Sequence, residues 1–282
     1  MSPLCRWLTL CLFASYFPLE TTCSAQEPQP PEKSWAIFSN EGRALAPLRA
    51  DPREAQLRAG FLFRDNGHIY QDVALGADLG ILHRRSHEGG RLSITGRGVI
   101  SARFDFMSES FDLQNVDFIG GIAVGYHLKN LALEALISHQ SSHLGDEVLD
   151  NGDRKRIDFG LERVRLLGSY NSGNLRLYGG PSIIYNSNPS SLEWRVLVQV
   201  GAEYFGHFLK IPVYAASDIQ IQTRDIESSG LTFQTGVELG NPEIVKRRQR
   251  IFIELFHGNS NMGQFFLERE RYIMFGLGYN FR

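Results

Sequence analysis

The chain has 282 residues, with 29 Lys and Arg against 31 Asp and Glu, and a formal net charge of −2. That balance excludes the basic footprint of a nucleic-acid binder. The mean hydropathy of −0.20 excludes a bundle of membrane helices. Beyond the N-terminus no apolar run approaches the ~20 residues that a spanning helix needs.

The N-terminal residues read as a secretory signal over 1–25. Arg6 supplies the positive charge, Trp7–Phe17 the apolar core, and Cys23-Ser24-Ala25 a small-residue cleavage site, leaving Gln26 as the mature N-terminus. Glu20, Thr21 and Thr22 make a poor approach to a lipidated Cys23. The three cysteines, Cys5, Cys11 and Cys23, all lie in the signal, so the mature chain is expected to hold no disulfide and no thiolate-bound metal. Residues 26–56 form a Pro-rich periplasmic N-terminal segment. Gln26–Lys33 is an extended polar linker, and Ser34–Gln56, which shows no period, is expected in the periplasm as a tail or a short plug.

From Leu57 onward a period-2 alternation dominates. Leu92, Ile94, Gly96, Gly98, Ile100, Ala102, Phe104 and Phe106 alternate with Ser93, Thr95, Arg97, Val99, Ser101, Arg103 and Asp105. Side chains alternate across a strand, so the segment has one apolar and one charged face. The pattern recurs over 57–64, 71–84, 91–106, 115–128, 130–142, 160–171, 174–186, 192–205, 208–222, 229–240, 249–259 and 270–281. The fold class is therefore all-β, with residues 57–282 forming an antiparallel transmembrane β-barrel of about 12 strands. Short turns at Lys129-Asn130, Asn171–Asn174 and Gly206-His207 fall on one side. Longer connections at Met107–Asn115, Ser142–Phe159 and Asn261–Arg271 fall on the other, as bacterial barrels require.

The apolar face is expected to meet lipid. In Leu209–Ile221 the odd-numbered residues should point outward, and Lys210, Tyr214, Asp218 and Gln220 inward. Arg58, Arg64, Asp78, Arg97, Arg103, Asp105, Glu134, Arg163, Arg165, Arg176, Arg195, Glu203, Glu238 and Glu254 also face inward. Both signs occur in similar numbers, and a lone charge inside would be costly. The lumen is thus expected to be filled by ion pairs, with Arg97, Arg103, Arg163 and Arg165 each beside an acid. At the C-terminus Ile273, Phe275, Leu277, Tyr279 and Phe281 share one face, and Arg282 follows. This end resembles the strand by which outer-membrane assembly machinery recognises its clients.

One constellation suggests chemistry. His139 and Ser141 continue the lipid face of Leu131, Leu133, Ala135 and Ile137 at the outer end of their strand. A hydroxyl becomes a useful nucleophile when a base takes its proton, and the base needs an orienting acceptor on its other nitrogen. If Ser142 pairs near Phe159, Glu162 falls opposite His139, with Asp158 as the fallback. The proposed catalytic set is therefore His139, Ser141 and Glu162. Asp146 and Glu147, with Asp150 and Asp153 behind them, offer oxygens of the type calcium takes. The stretch Asp150-Asn151-Gly152-Asp153 also reads as an ordinary solvated turn. His257, Ser260 and Glu268 form a looser second set that meets the first only if loops fold over the barrel mouth. His83 and His87 flank a turn and read as solvent-facing. No Walker, Rossmann, zinc or heme motif is present.

His139-Gln140-Ser141 resembles the His-x-Ser element of the outer-membrane phospholipase A family. That resemblance implies hydrolysis of phospholipid acyl esters, a calcium requirement, and a homodimer. The family's third member is an Asn on the following strand, where this chain has Glu162. The Asn-Gly that commonly follows the family's Ser is replaced by Ser142-His143. Lipid A deacylases also use His-x-Ser with an acidic partner. A broader resemblance, carried by PLRADPREAQ (Pro47–Gln56), SHQSSHLGDE (Ser138–Glu147) and HGNSNMGQF (His257–Phe265), is to a bacterial outer-membrane barrel family of unknown function, numbered 1207. Three function classes follow. One is a lipid-acting serine hydrolase whose partners are membrane lipid and lipopolysaccharide. The others are a structural or binding barrel and a narrow small-solute channel.

Overall fold

The computed structural model describes residues 35–38, 42–86, 89–150, 154–192, 195–222, 229–239 and 248–280. The signal, the Pro-rich linker and the last two residues lie outside them. The strands are β1 (Trp35–Ile37), β2 (Leu57–Arg64), β3 (Ile69–Arg85), β4 (Arg91–Asp105), β5 (Leu113–Leu128), β6 (Leu131–Leu144), β7 (Phe159–Ser172), β8 (Leu175–Asn188), β9 (Arg195–Phe208), β10 (Ile211–Gln222), β11 (Gly230–Leu239), β12 (Arg248–Asn259) and β13 (Arg269–Asn280). From β2 to β13 each strand pairs antiparallel with the next, and β13 returns to β2, closing a 12-stranded barrel. Closure leaves no unpaired edge in the ring. The short β1 lies beside the part of β3 that outruns β2, pairing Trp35 with Arg84 and Ile37 with Leu82.

The alternation in sequence is the alternation in space. In β10, Tyr214, Ala216 and Asp218 are buried, whereas Ile211, Ile219 and Ile221 are exposed on the outer wall. Lys210 departs from the expected inward placement. The chain turns at Leu209-Lys210, with φ of 48° and 71°, and not at Gly206-His207. Tight hairpins need positive φ, for which Gly is the usual marker, so Gly206 drew the turn to itself in the sequence. Here two non-glycine residues adopt it, and β9 continues to Phe208. The outer wall is a band of Leu, Ile and Phe, including Leu75, Ile122, Leu133, Ile253 and Phe275. Ile253→Arg, near mid-strand on this band, is expected to destabilise the barrel by about 2–4 kcal/mol, measured by reversible denaturation in lipid vesicles.

Inside, arginine–carboxylate pairs run between strands. Arg97 contacts Asp78 at 2.8 Å and Glu134 at 3.1 Å. Arg103 contacts Asp72 and Glu270, both at 2.7 Å. Arg58 reaches Glu254 at 3.1 Å, and Arg165 meets Asp51 at 3.1 Å. Arg163 is the exception to the expected pairing, with no ion pair among the described residues. His83 also departs from expectation. It is 1 % exposed, because β3 extends to Arg85 and turns this ring inward. His87 lies outside the described residues.

Residues 42–56 occupy the lumen rather than hanging below it. Leu45 and Leu48 pack on Ala132, Leu167 and Tyr178, while Ala50 joins Leu62, Tyr214 and Phe252. A β-carbon at Gly125 would come within 2.8 Å of Ala44, so the absence of a side chain lets this plug touch the wall. The plug is tied by charge as well. Arg43 forks onto Glu54 with two bonds of 2.7 Å, Arg49 reaches Glu238 at 2.6 Å, and Arg176 donates to the carbonyls of Ala46 and Pro47 and to Glu203.

The opposite end carries the long connections and therefore faces outward. There the segment between β12 and β13 folds over the mouth. The amide of Gly263 donates to Asp117 at 3.0 Å and that of Gln264 to Ser142 Oγ at 3.0 Å. The Ser142 hydroxyl in turn has Asp117 Oδ1 and Asn115 Oδ1 as acceptors for its one proton, so this loop is anchored across the barrel on β5 and β6.

Candidate functional site at the outer lipid face

The register of β6 and β7 decides the site. Ser142 pairs with Phe159 and His139 with Glu162. His139 therefore projects from the outer wall beside Glu162, and its Nδ1 lies 3.0 Å from Glu162 Oε1. A carboxylate only accepts, so the proton belongs on Nδ1, and the lone pair on Nε2 is left available as a base. The imidazole side chain is 56 % exposed and the carboxylate 29 %.

The other Glu162 oxygen accepts a bond from the Asn186 side-chain amide. Strict alternation would turn Asn186 into the lumen with Ser182 and Ile184. A bulge opposite Glu162 and Arg163 shifts the register, so Glu162 pairs with Asn186 while Arg163 pairs with Ile184. Tyr185 and Asn186 are both exposed as a result. A bulge re-aims a side chain in this way wherever one strand gains a residue on its partner. No feature of the local sequence marks this one, so Asn186 was missed.

Ser141 lies two residues beyond His139 on the same outer face, half-buried between its cross-strand partners Phe118 and Gly160. Among the described residues no hydrogen bond joins Ser141 to His139. Gly160 leaves the space beside Ser141 open, since a β-carbon there would sit 3.8 Å from His139 Cε1. Gly120, across from His139 on β5, likewise has nothing within 4 Å of a β-carbon position. The imidazole and hydroxyl thus line a notch in the lipid-facing wall.

The other candidates are not brought together. Asp158 accepts a bond from Asn188 at 2.7 Å and leaves His139 to Glu162. His257 sits on the outer wall with Arg269 at 3.2 Å, Ser260 Oγ accepts from the Met262 amide, and Glu268 pairs with Arg154. The loop does fold over the mouth, but it delivers Gln264 to Ser142. Ser260 and Glu268 meet only through their backbones, the Ser260 amide donating to the Glu268 carbonyl at 2.8 Å, and their side chains do not join His257. Asp146 and Glu147 open the short helix α1 (Asp146–Asp150), and both are exposed. Among the described residues no group of three His, Cys, Asp or Glu side chains forms a metal cage. Two exposed acids fall short of the roughly six to eight oxygens that calcium takes, so no step below runs through the ion. Asp153 lies outside the described residues.

Known structures resemble the fold. Outer membrane phospholipase A from Escherichia coli matches with a TM-score of 0.57 at 11 % identity, over 86 % of this chain and 96 % of that one. A Salmonella typhi outer membrane phospholipase, described as a dimer with bound calcium, matches with a TM-score of 0.56 at 12 % identity, over 87 % and 97 %. At such identities the likeness concerns the barrel alone. No curated protein sequence matches the chain. The closed barrel, its apolar outer band and these neighbours place the protein in the bacterial outer membrane. Over residues 34–281 the sequence matches the family described as "Protein of unknown function (DUF1207)", and the chain belongs to that family.

Proposed function

We propose that this barrel is a lipid-acting serine hydrolase working at the outer lipid interface. The observation that carries the reading is the His139–Glu162 contact of 3.0 Å on the lipid-facing wall, with Ser141 on the same face. Buried pairs of this type hold barrels together inside. A His–Glu pair turned toward lipid needs another reason.

In the proposed reaction Ser141 Oγ attacks an acyl-ester carbonyl carbon while its proton passes to His139 Nε2. The ester C–O bond breaks, and the imidazolium returns the proton to the departing alcohol. Water, deprotonated by the same nitrogen, then cleaves the acyl-serine and releases a fatty acid. Glu162 holds the tautomer and stabilises the imidazolium. Asn186 orients Glu162 and is a positioning residue. The contact between Ser141 and His139 closes when lipid fills the notch, since catalytic hydrogen bonds are commonly long without substrate. Phospholipid and lipid A both present such esters at this depth, so membrane lipid and lipopolysaccharide are the substrate classes. The apolar face of β13, with Ile273, Phe275 and Leu277, is the segment we assign to recognition by the assembly machinery.

The plug and the loop over the mouth weigh against a diffusion channel. A fluorophosphonate, which reacts with activated serines, tests the reading directly. Labelling of the folded barrel should map to Ser141 and vanish in Ser141→Ala. Labelling that persists in Ser141→Ala, or its absence from the wild type, would remove the hydrolase and leave a structural barrel.

A further inference from the structure

Between the plug and the mouth the lumen keeps a cavity of about 150 Å³. The plug's tip, Pro52 and Arg53, contributes to it from below, and the outer ends of the strands surround it. Arg163 reaches into this space from β7 and also lines an adjoining cavity of about 30 Å³.

Arg163 lies where an acid was expected beside it, yet among the described residues it makes neither ion pair nor hydrogen bond. Its neighbours explain why. Asp51 is already engaged by Arg165 at 3.1 Å and by Gln199 at 3.1 Å. Asp218, the acid on the cavity wall, accepts from Tyr178, Gln199 and Gln220 at 2.8, 2.7 and 3.0 Å. Arg53 is only loosely held, by Gln220 at 3.5 Å, and its Nε is buried without a partner. Two guanidiniums therefore line one cavity without a carboxylate in contact with either among the described residues. A buried cation without a partner is costly, and a fork of N–H donors matches a carboxylate.

The adjacent wall is apolar. Ile184 is the cross-strand partner of Arg163, and Leu161 is the next residue outward on the same face. Both belong to a buried cluster with Phe159 and Leu192, against which Phe266 packs. We propose that this cavity binds a small monocarboxylate with an apolar body. Its carboxylate lies between Arg163 and Arg53, and its hydrocarbon rests on Leu161, Ile184 and Leu192. The volume admits a small acid and not a phospholipid. The site faces the lumen, on the opposite side of the wall from His139, and stands independently of the hydrolase reading.

Benzoate is a suitable ligand for the test, titrated calorimetrically into the full barrel in lipid nanodiscs. Benzyl alcohol supplies the body without the charge, and inorganic phosphate the charge without the body. Saturable benzoate binding is expected, with none for the other two. Arg163→Gln should weaken it by about tenfold or more. Arg53→Gln should weaken it similarly and serves where Arg163→Gln fails to fold, as judged by heat-modifiable gel mobility. Absence of saturable benzoate binding by the wild type, or equal affinity in the folded variants, would overturn the site. Phosphate binding as tightly as benzoate would overturn its apolar half.

Discussion

Ser141→Ala is expected to cut fatty-acid release from phospholipid by about three orders of magnitude or more, roughly 4 kcal/mol of transition-state stabilisation. The substitution deletes one oxygen on a face that packs against nothing inside the barrel, so folding should be untouched. His139→Ala should cost about as much, because nucleophile and base act as a unit and their losses do not add. Glu162→Ala should cost about 10²-fold in kcat with little change in KM, since the ring loses its orienting acceptor but keeps its place in the strand. Asn186→Ala should lower kcat by about tenfold, the worth of one hydrogen bond to a charged group. This graded series separates a catalytic relay from a polar ornament. In a merely interfacial cluster all four variants would release fatty acid at the wild-type rate. The measurement is initial-rate fatty-acid release in mixed micelles, with heat-modifiable mobility confirming that each barrel is folded.

Glu54→Ala is expected to release the plug and open the lumen to ions. The Glu54 side chain is fully buried and accepts both prongs of Arg43, with the amides of Leu48 and Ala55 each at 2.9 Å. Its removal leaves a buried guanidinium held only by its bonds to Asp78 and the Leu45 carbonyl, a change that costs about 3–5 kcal/mol. Planar-bilayer recordings should show almost no conductance for the wild type and a marked increase for Glu54→Ala. Protease cleavage within 42–56 should rise in parallel. A silent Glu54→Ala channel with an intact segment would show that apolar packing of Leu45, Leu48 and Ala50 alone seats the plug.

The same contact sets a pH dependence. Burial by itself would raise the Glu54 carboxyl, but the charges of Arg43 and Arg97 and the Arg43 hydrogen bonds outweigh it and hold the group well below its ordinary value of 4.5. A carboxyl depressed in the folded state contributes stability that is fully present above the unfolded value and is lost as pH falls through the folded one. The plug should therefore stay seated from neutral pH down through 4.5 and loosen only in stronger acid. Loosening between pH 7 and 5 would contradict this.

Much of the protein was legible in its sequence because a lipid-facing barrel obeys one rule everywhere. Lipid requires an apolar residue at every second position, and each strand is long enough to show it. The same alternation assigns His139, Ser141 and Glu162 to the lipid side, whereas the pairing of Ser142 with Phe159, an assumption in the sequence reading, is fixed by the β6–β7 ladder. Turns were legible where Gly marks positive φ, as at Gly173, with φ of 58°, between β7 and β8. They were misread at Leu209-Lys210, where closure of the hairpin imposes positive φ on residues that do not advertise it.

What the chain encodes without a period was decided by the closed barrel. Residues 42–56 have no alternation because they form no strand of the wall. Their burial comes from a cylinder lined with acids and arginines that only the finished ring provides. Asn186 meets Glu162 through a bulge, a two-against-one mismatch that belongs to a pair of strands and to neither alone. Arg163 lacks its acid for a related reason. Composition balanced the lumen charges overall, but pairing depends on which guanidinium reaches each carboxylate first, and Arg165 holds Asp51. Sequence alternation determines which wall a residue faces. Contact between strands and across the lumen is a property of three dimensions, and it decided that Glu162 meets both His139 and Asn186 and that Arg165, not Arg163, holds Asp51.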